Sequence, residues 1–414
     1  MPHDAELLTF PKASKQPVRR PRDPRIDAFR GIALVMIFID HTPGNPYENY
    51  TLRNWGFSDA AEAFFIMSGI AAGLAYAGRL LPETRADQGA WNGIAPIWRR
   101  SWTLYMTHVF LCLWAVAIFA AGADYFGIPD LLTRHNLAPV FEAPQEALFG
   151  LAALGHQIGY VNILPTYSAL LLAAPFAIML GLRNPLALIC SAVFLWFAAA
   201  TVRLNFPNFP NEGGWFFNPF SWQVIFVTGL LIGLYMRRGE RLVPYSRALF
   251  WLAVGWLALS LVWRNVPAVG EVMNQGMWQL KEAGAPWFFV SHDKTFVALP
   301  RLLHVLAMVY VLSCLPVVTR LCAAPAAEPL RLMGRQGLLV FSLGTLMALA
   351  LQVVIEGYAH IPALPWVLLP LGVLVMIGAA WLADAPRRKA AAARPAPRDA
   401  LPVSKRGERG AVTA

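Results

Sequence analysis

The sequence predicts an all-α protein: a polytopic transmembrane helical bundle of about ten spans with both termini cytoplasmic. Three observations carry that expectation. The composition suits hydrocarbon, since 57% of the 414 residues are hydrophobic and only 14% are charged, against about a quarter charged in soluble domains. Apolar segments near the 20 residues that cross a bilayer as a helix recur along the whole chain, bounded by charges, Pro and Gly. The charge is also asymmetric. With ten spans and the termini inside, the inner segments hold 27 of the 34 Lys and Arg residues but only 11 of the 24 acids, which is the bias that orients membrane proteins.

Taken in order, residues 1–25 are polar and lack an apolar run with a small-residue cleavage site, so they read as a cytoplasmic tail and not a signal peptide. A single membrane domain follows over 26–383, with spans at 26–43, 58–78, 101–122, 161–181, 185–202, 219–236, 246–263, 295–318, 337–355 and 363–383. Arg79, Arg85, Arg99 and Arg100 precede the third span, and Arg237, Arg238 and Arg241 follow the sixth. Gly69 with Gly73, and Gly229 with Gly233, are small-xxx-small pairs that allow close helix approach. Pro165 and Pro175 kink or bound the fourth span. The stretch 124–160 is the least regular and leaves room for an amphipathic or re-entrant helix, or for one miscounted span. Residues 384–414, rich in Ala, Pro and Arg, read as a disordered basic cytoplasmic tail.

Several function classes drop out. The net charge of +10 needs no nucleic acid, because basic residues of membrane proteins collect on cytoplasmic loops and no basic patch interleaved with aromatics is present. The four cysteines lack metal-ligand spacing, so neither a metal site nor a disulfide framework is expected.

The segment RIDAFRGIALVMIFIDHTPG, Arg25 to Gly44, carries the first candidates. On a helix Arg30 and His41 share a face and lie about 16 Å apart along the axis, and Asp27 can pair with Arg30 one turn away. An ionisable group in hydrocarbon costs roughly 2.5–3.5 kcal/mol even on lenient scales, so buried ones point to function; the plainer alternative makes Arg30, Asp40 and His41 markers of the two interfaces. Asp59 and Glu62 open the second span at the level of Asp40 and His41, where a carboxylate raises the basicity of an imidazole and fixes its tautomer. Their structural alternatives are an N-cap and an interfacial charge. Arg99 and Arg100 sit at the cytoplasmic mouth of the third span, where planar guanidinium forks suit phosphates or, equally, lipid headgroups. His108 reads as a buried, satisfied histidine, and Arg301 and His304 as a basic pair entering from outside.

Together these residues suggest a donor that is phosphate-rich at one end and reactive at the other. A coenzyme A thioester fits: Arg30, Arg99 and Arg100 would bind the nucleotide end, and the pantetheine arm matches the Arg30 to His41 separation. His41 would serve as general base for an acceptor hydroxyl, with Glu62, Asp59 and Asp40 as its catalytic neighbours; a covalent acyl-histidine is the variant.

Two blocks, RIDAFRGIALVMIFIDHTPGN and YTLRNWGFSDAAEAFFIMSGIAAGLAYA, resemble the OpgC family of bacterial inner-membrane proteins, which add succinyl groups to osmoregulated periplasmic glucans. Similarity extends through ILPTYSALLL, NPFSWQVIFVTG, RLLHVLA and EPLRLMGRQGLLVFSLGT, so it covers nearly everything except the tails. That family in turn resembles the acyltransferase-three membrane proteins, whose hallmark is a basic residue and a His in the first span with ten residues between them. Arg30 and His41 match it, and Arg99 and Arg100 take the place of the arginines opening the third span, as an adjacent pair instead of a spaced one. The resemblance implies ten membrane helices in contact with lipid, a cytoplasmic acyl-CoA donor with succinyl-CoA foremost, no metal, and a periplasmic glucan acceptor. The alternatives are an O-acetyltransferase of another surface polysaccharide and, in a different class, a proton-coupled glucan or solute transporter, since buried His and acids also build proton relays.

Overall fold

The structure is a computed structural model that describes residues 22–387. The two expected tails fall almost wholly outside the described residues. The end of the bundle that carries Arg30 is called inner below, and the end that carries His41 outer.

Nine of the ten apolar segments each fold mainly as one helix and the tenth, 295–318, as a bent pair, with boundaries set by local chemistry. Helix α1 (Pro24–Asp40) starts where the Asp23 side chain accepts from the Arg25 amide and Pro24 takes the first position. It stops at His41, ahead of Pro43 and a left-handed Gly44. Helix α2 (Ala60–Tyr76) opens with a capping box in which Asp59 caps the helix and Glu62 reaches back to the Asp59 amide. After the short α3 (Pro82–Gln88) comes α4 (Trp91–Phe126), 36 residues long. It begins ten residues before the expected span, which places Arg99 and Arg100 inside it and not ahead of it.

The irregular stretch 124–160 resolves into a 3₁₀ turn at Pro129–Asn136 and two short helices, α5 (Ala138–Glu142) and α6 (Pro144–Ala152), none long enough to cross a bilayer. Helix α7 (Ile163–Arg183) runs through both prolines, Pro165 lying in its permissive first turn. Asn184, Asn218 and Ser246 then cap α8 (Pro185–Val202), α9 (Pro219–Arg238) and α10 (Arg247–Asn265). The sequence reading contained no counterpart of α11 (Pro267–Glu282). The expected span 295–318 is broken: α12 (Leu299–Cys314) and α13 (Pro316–Ala323) meet at 80°, because Pro316 cannot donate to the preceding turn. The chain closes with α14 (Glu328–Arg335), α15 (Gly337–Gly357) and α16 (Leu364–Ala383). No β-strand occurs among the described residues.

Eight of these helices are long and apolar enough to cross a membrane, and α12 with α13 makes a ninth if the bent pair is one span. The remaining apolar segment, α1, has 17 residues. Peripheral helices turn large apolar side chains outward, including Phe194 and Leu186 on α8, Trp251 and Leu252 on α10, and Val367 and Leu382 on α16. Such faces suit hydrocarbon, where no hydrophobic penalty attaches to them.

The centre is held by backbone contact. On α2, Gly69 and Gly73 lie against the Phe226 and Leu230 carbonyls of α9, while Gly229 and Gly233 lie against the Ile66 and Ile70 carbonyls of α2, so a Cβ at any of the four would collide with main chain. Gly31 of α1 meets Leu330 of α14 in the same way, and Gly334 meets Asp27. Helix α15 runs parallel to α1: Gly337 backs onto Arg30, Gly344 lies beside Phe38, and Gln352 reaches the His41 carbonyl. That register fixes the two ends of α1, and with them the site.

Candidate active site

At the outer end, His41 lines a cavity of about 540 Å³. Its amide closes the last turn of α1 on Ile37 O at 2.9 Å, and its carbonyl accepts from Gln352 Nε2 at 2.5 Å. The other end of the same amide, Gln352 Oε1, lies 2.6 Å from His135 Nε2, which assigns the proton of His135 to that nitrogen. The Tyr160 ring stands between the two imidazoles, with centroids 4.7 Å from His41 and 4.8 Å from His135. His135, Asn136 and Tyr160 all line the cavity with left-handed φ of 54°, 66° and 65°. Non-glycine residues adopt that region only at an energetic cost, and such strain concentrates at functional sites. Burial holds the His135 imidazole below its usual range, against the opposing pull of the Gln352 hydrogen bond, so it is neutral near pH 7. His41 Nδ1 is buried and has no hydrogen-bond partner.

The acids of α2 are engaged elsewhere. Asp59 Oδ1 accepts from the Ala61 amide at 2.8 Å, and its Oδ2 accepts from Lys294 Nζ at 2.5 Å and Arg301 Nη2 at 3.2 Å. Glu62, fully buried, takes Arg301 Nε at 2.8 Å and Nη2 at 2.5 Å on Oε1, and the Asp59 amide at 2.8 Å on Oε2. With all four oxygens occupied, the carboxylate–imidazole hydrogen bond expected between Glu62 or Asp59 and His41 is not made. Arg301 correspondingly locks the acids in place and does not extend toward headgroups, and His304 next to it meets Ser58 Oγ at 2.6 Å. Asp40 accepts from Thr51 Oγ1 at 2.7 Å and faces Arg53 Nε at 3.9 Å.

At the inner end, a second cavity of about 300 Å³ is lined by Arg30, Arg100 and Arg335, with Ser68, Tyr76 and Tyr167. Arg30 reaches the Gly334 carbonyl at 3.2 Å and the Met67 carbonyl at 3.5 Å, and its ion-pair partner Asp27 stands 3.9 Å away. Arg335 pairs with Glu328 at 2.7 Å and Asp384 at 3.7 Å. Among the described residues no acid lines this cavity, whereas the outer one is lined by two acids, Asp40 and Asp59, and two cations, Arg53 and Lys294.

The structure therefore divides the sequence candidates. His41, Asp40 and Asp59 share the outer cavity, with Glu62 behind its wall, and Arg30 and Arg100 share the inner one. Arg99 belongs to neither: it is exposed on α4, turned about 100° around the helix axis from Arg100. His108 is fully buried with Nδ1 3.2 Å from the Val161 carbonyl, a satisfied packing residue. His135, Tyr160 and Gln352 escape a reading of the sequence. Their signals were a polar set inside the irregular stretch 124–160 and a lone amide in an otherwise apolar span. Among the described residues, no group of three or more His, Cys, Asp or Glu side chains is placed to hold a metal ion.

Neither a curated protein nor a solved structure shows significant similarity to the chain. A family model described as OpgC protein matches residues 22–388, a stretch that contains both cavities and every helix that builds them, and the chain belongs to the OpgC family.

Proposed function

We propose that this chain is an integral membrane O-acyltransferase that moves an acyl group, succinyl in the first instance, from cytoplasmic acyl-CoA to hydroxyls of a periplasmic glucan. Membership in the OpgC family supports acyl transfer to glucans. The observation that carries the donor and acceptor assignment is the contrast in charge between the two ends of α1: among the described residues, three arginines and no acid line the inner cavity, and equal numbers of acids and cations line the outer one. An anionic nucleotide matches the first and a neutral sugar the second. The proposal places residues 26–383 as one membrane domain of ten spans, α1 being the tenth, with both termini cytoplasmic in a bacterial inner membrane.

In the proposed reaction, Arg30 and Arg100 bind the phosphates of the donor while its arm extends along α1. At the outer end His41 takes the proton of a glucose hydroxyl as that oxygen attacks the thioester carbonyl. The C–O ester bond forms, the C–S bond breaks, and the proton passes to the departing sulfur, so the products are an acylated sugar and free coenzyme A thiol. Tyr160 offers an apolar face for the pyranose ring, and Asp40 an acceptor for a neighbouring hydroxyl. Asp59 and Glu62, with Lys294 and Arg301, hold the outer wall rather than the imidazole itself.

The test is incubation of purified protein with labelled succinyl-CoA or acetyl-CoA and a periplasmic glucan, read by mass spectrometry. Succinylated glucan is expected. Acetylated product alone would favour the acetyltransferase alternative, and glucan or solute flux into proteoliposomes without any acylated product would favour transport.

A further inference from the structure

The inner and outer cavities have one lining residue in common, Phe341 of α15. Its ring is 3% exposed and lies 6.1 Å, centroid to centroid, from that of Phe64, which in turn meets Tyr167 at 5.6 Å. Phe64 and Tyr167 line the inner cavity only. Phe341 follows Gly337 by one helical turn, and Gly337 is where α15 backs onto Arg30; further along, the same helix reaches the His41 carbonyl through Gln352. The phenyl ring thus stands between the two chambers, on the path from the arginines to the imidazole.

We propose that Phe341 is the specificity-determining residue of the passage between the chambers: its ring closes the passage when no donor is bound, closes around the arm when one is, and limits which acyl groups pass to His41. The inference rests on the acyltransferase reading above. Its physical basis is that two polar cavities joined by an open channel would let water reach the thioester. Water would then replace the sugar: the C–S bond breaks, a C–O bond to water oxygen forms, and free carboxylic acid and thiol leave. A buried aromatic plug excludes that side reaction, yet a single side chain needs only a rotamer change to admit a thin flexible arm. The neighbouring Phe64 and Tyr167 rings narrow the inner approach to the same point.

The experiment compares wild type with Phe341→Ala, Phe341→Leu and Phe341→Trp in nanodiscs, after thermal unfolding has shown which variants are folded. Two rates are read, acyl transfer to glucan and acyl-CoA hydrolysis without glucan, together with CoA affinity by calorimetry. Opening the passage in Phe341→Ala should raise hydrolysis relative to transfer by at least about tenfold, equivalent to about 1.4 kcal/mol, and should admit bulkier acyl groups. Phe341→Leu should lie between it and wild type and serves if the Ala variant does not fold. Phe341→Trp should reduce transfer about tenfold or more with CoA affinity unchanged. Liposomes containing Phe341→Ala should also leak a small anionic dye that wild type retains. A wild-type ratio of hydrolysis to transfer in the folded Ala or Leu variant, or full transfer in Phe341→Trp, would overturn the assignment of Phe341. Absence of transfer in wild type itself would instead overturn the acyltransferase reading.

Discussion

Among the described residues no acid lines the cavity that the inner arginines face, whereas Asp40 and Asp59 line the outer cavity beside Arg53 and Lys294. Arg30 satisfies its donors mainly on the Gly334 and Met67 carbonyls, with Asp27 at the edge of ion-pair distance. Carbonyls complete the hydrogen bonds of the Arg30 guanidinium without cancelling its charge, so although Arg335 pairs with Glu328 and Asp384, Arg30 and Arg100 keep the lining of the inner chamber cationic. The outer chamber is built the other way. Asp59 and Glu62 are tied down by two cations, and His41 Nδ1, like the Gln157 amide, is left without a hydrogen-bond partner. One end of the helix offers charge and the other a free imidazole, and the same short segment of sequence supplies both.

The largest effect that bears on this contrast is expected from His41→Ala. General-base assistance is typically worth 10²- to 10⁴-fold, so transfer should fall by about that range while expression and thermal unfolding stay at wild-type values. Near-normal glucan acylation in a folded His41→Ala protein would remove chemistry from the outer end. Next comes Glu62→Ala, which leaves Arg301 with only Asp59 in a buried setting. Breaking a buried pair from one side costs about 3–5 kcal/mol, so the variant should unfold well below wild type in a thermal scan, whether or not donor is present. If stability is unchanged and only activity is lost, Glu62 belongs to the chemistry after all.

At the inner end, Arg30→Ala and Arg100→Ala should each weaken CoA binding by about 10- to 100-fold, the scale of a hydrogen bond to a charged group. Arg99→Ala should not change it, since Arg99 faces away from the cavity. Equal losses for Arg99 and Arg100, measured by calorimetry, would mean that α4 rotates or unwinds there. The smallest effect concerns His135. Its folded pKa lies below the unfolded value of about 6.5, so the unfolded chain binds the extra proton first, and its contribution to stability is lost as pH falls through that value. Thermal stability should therefore decline from pH 7.5 to 5, and His135→Phe should flatten the decline. An unchanged slope would mean that His135 does not titrate in this window.

Part of the candidate site was legible because it is local. Arg30 to His41 is a relation within one helix, and the 3.6-residue repeat alone puts the two on one face. Asp59 as an N-cap was equally local, since Asp59 and Glu62 make a capping box with the spacing such boxes require. What could not be read was which partner each polar group takes across the bundle. Glu62 pairs with Arg301, 239 positions away, and Gln352 bridges His135 and the His41 carbonyl over more than 200 positions. No periodicity within one helix encodes such pairings; they follow from how the helices pack. The same holds for Arg99 and Arg100, whose separation into exposed and cavity-facing residues depends on the phase at which α4 meets α7.

The sequence by itself determined the class of fold, the places of the ten apolar segments and the residues at the two ends of α1, because hydropathy and helical phase act over a turn or a span; the break at Pro316 and helix α11 were not among them. Tertiary structure alone decided that two chambers exist, that among the described residues one is lined by arginines and no acid while the other is balanced, and that Phe341 lines both. The glycines that let α2 and α9, and α1 and α14, meet at backbone distance set those helix positions. Charge in a cavity is the sum over walls drawn from many spans, and that sum is defined only once the walls have been brought together.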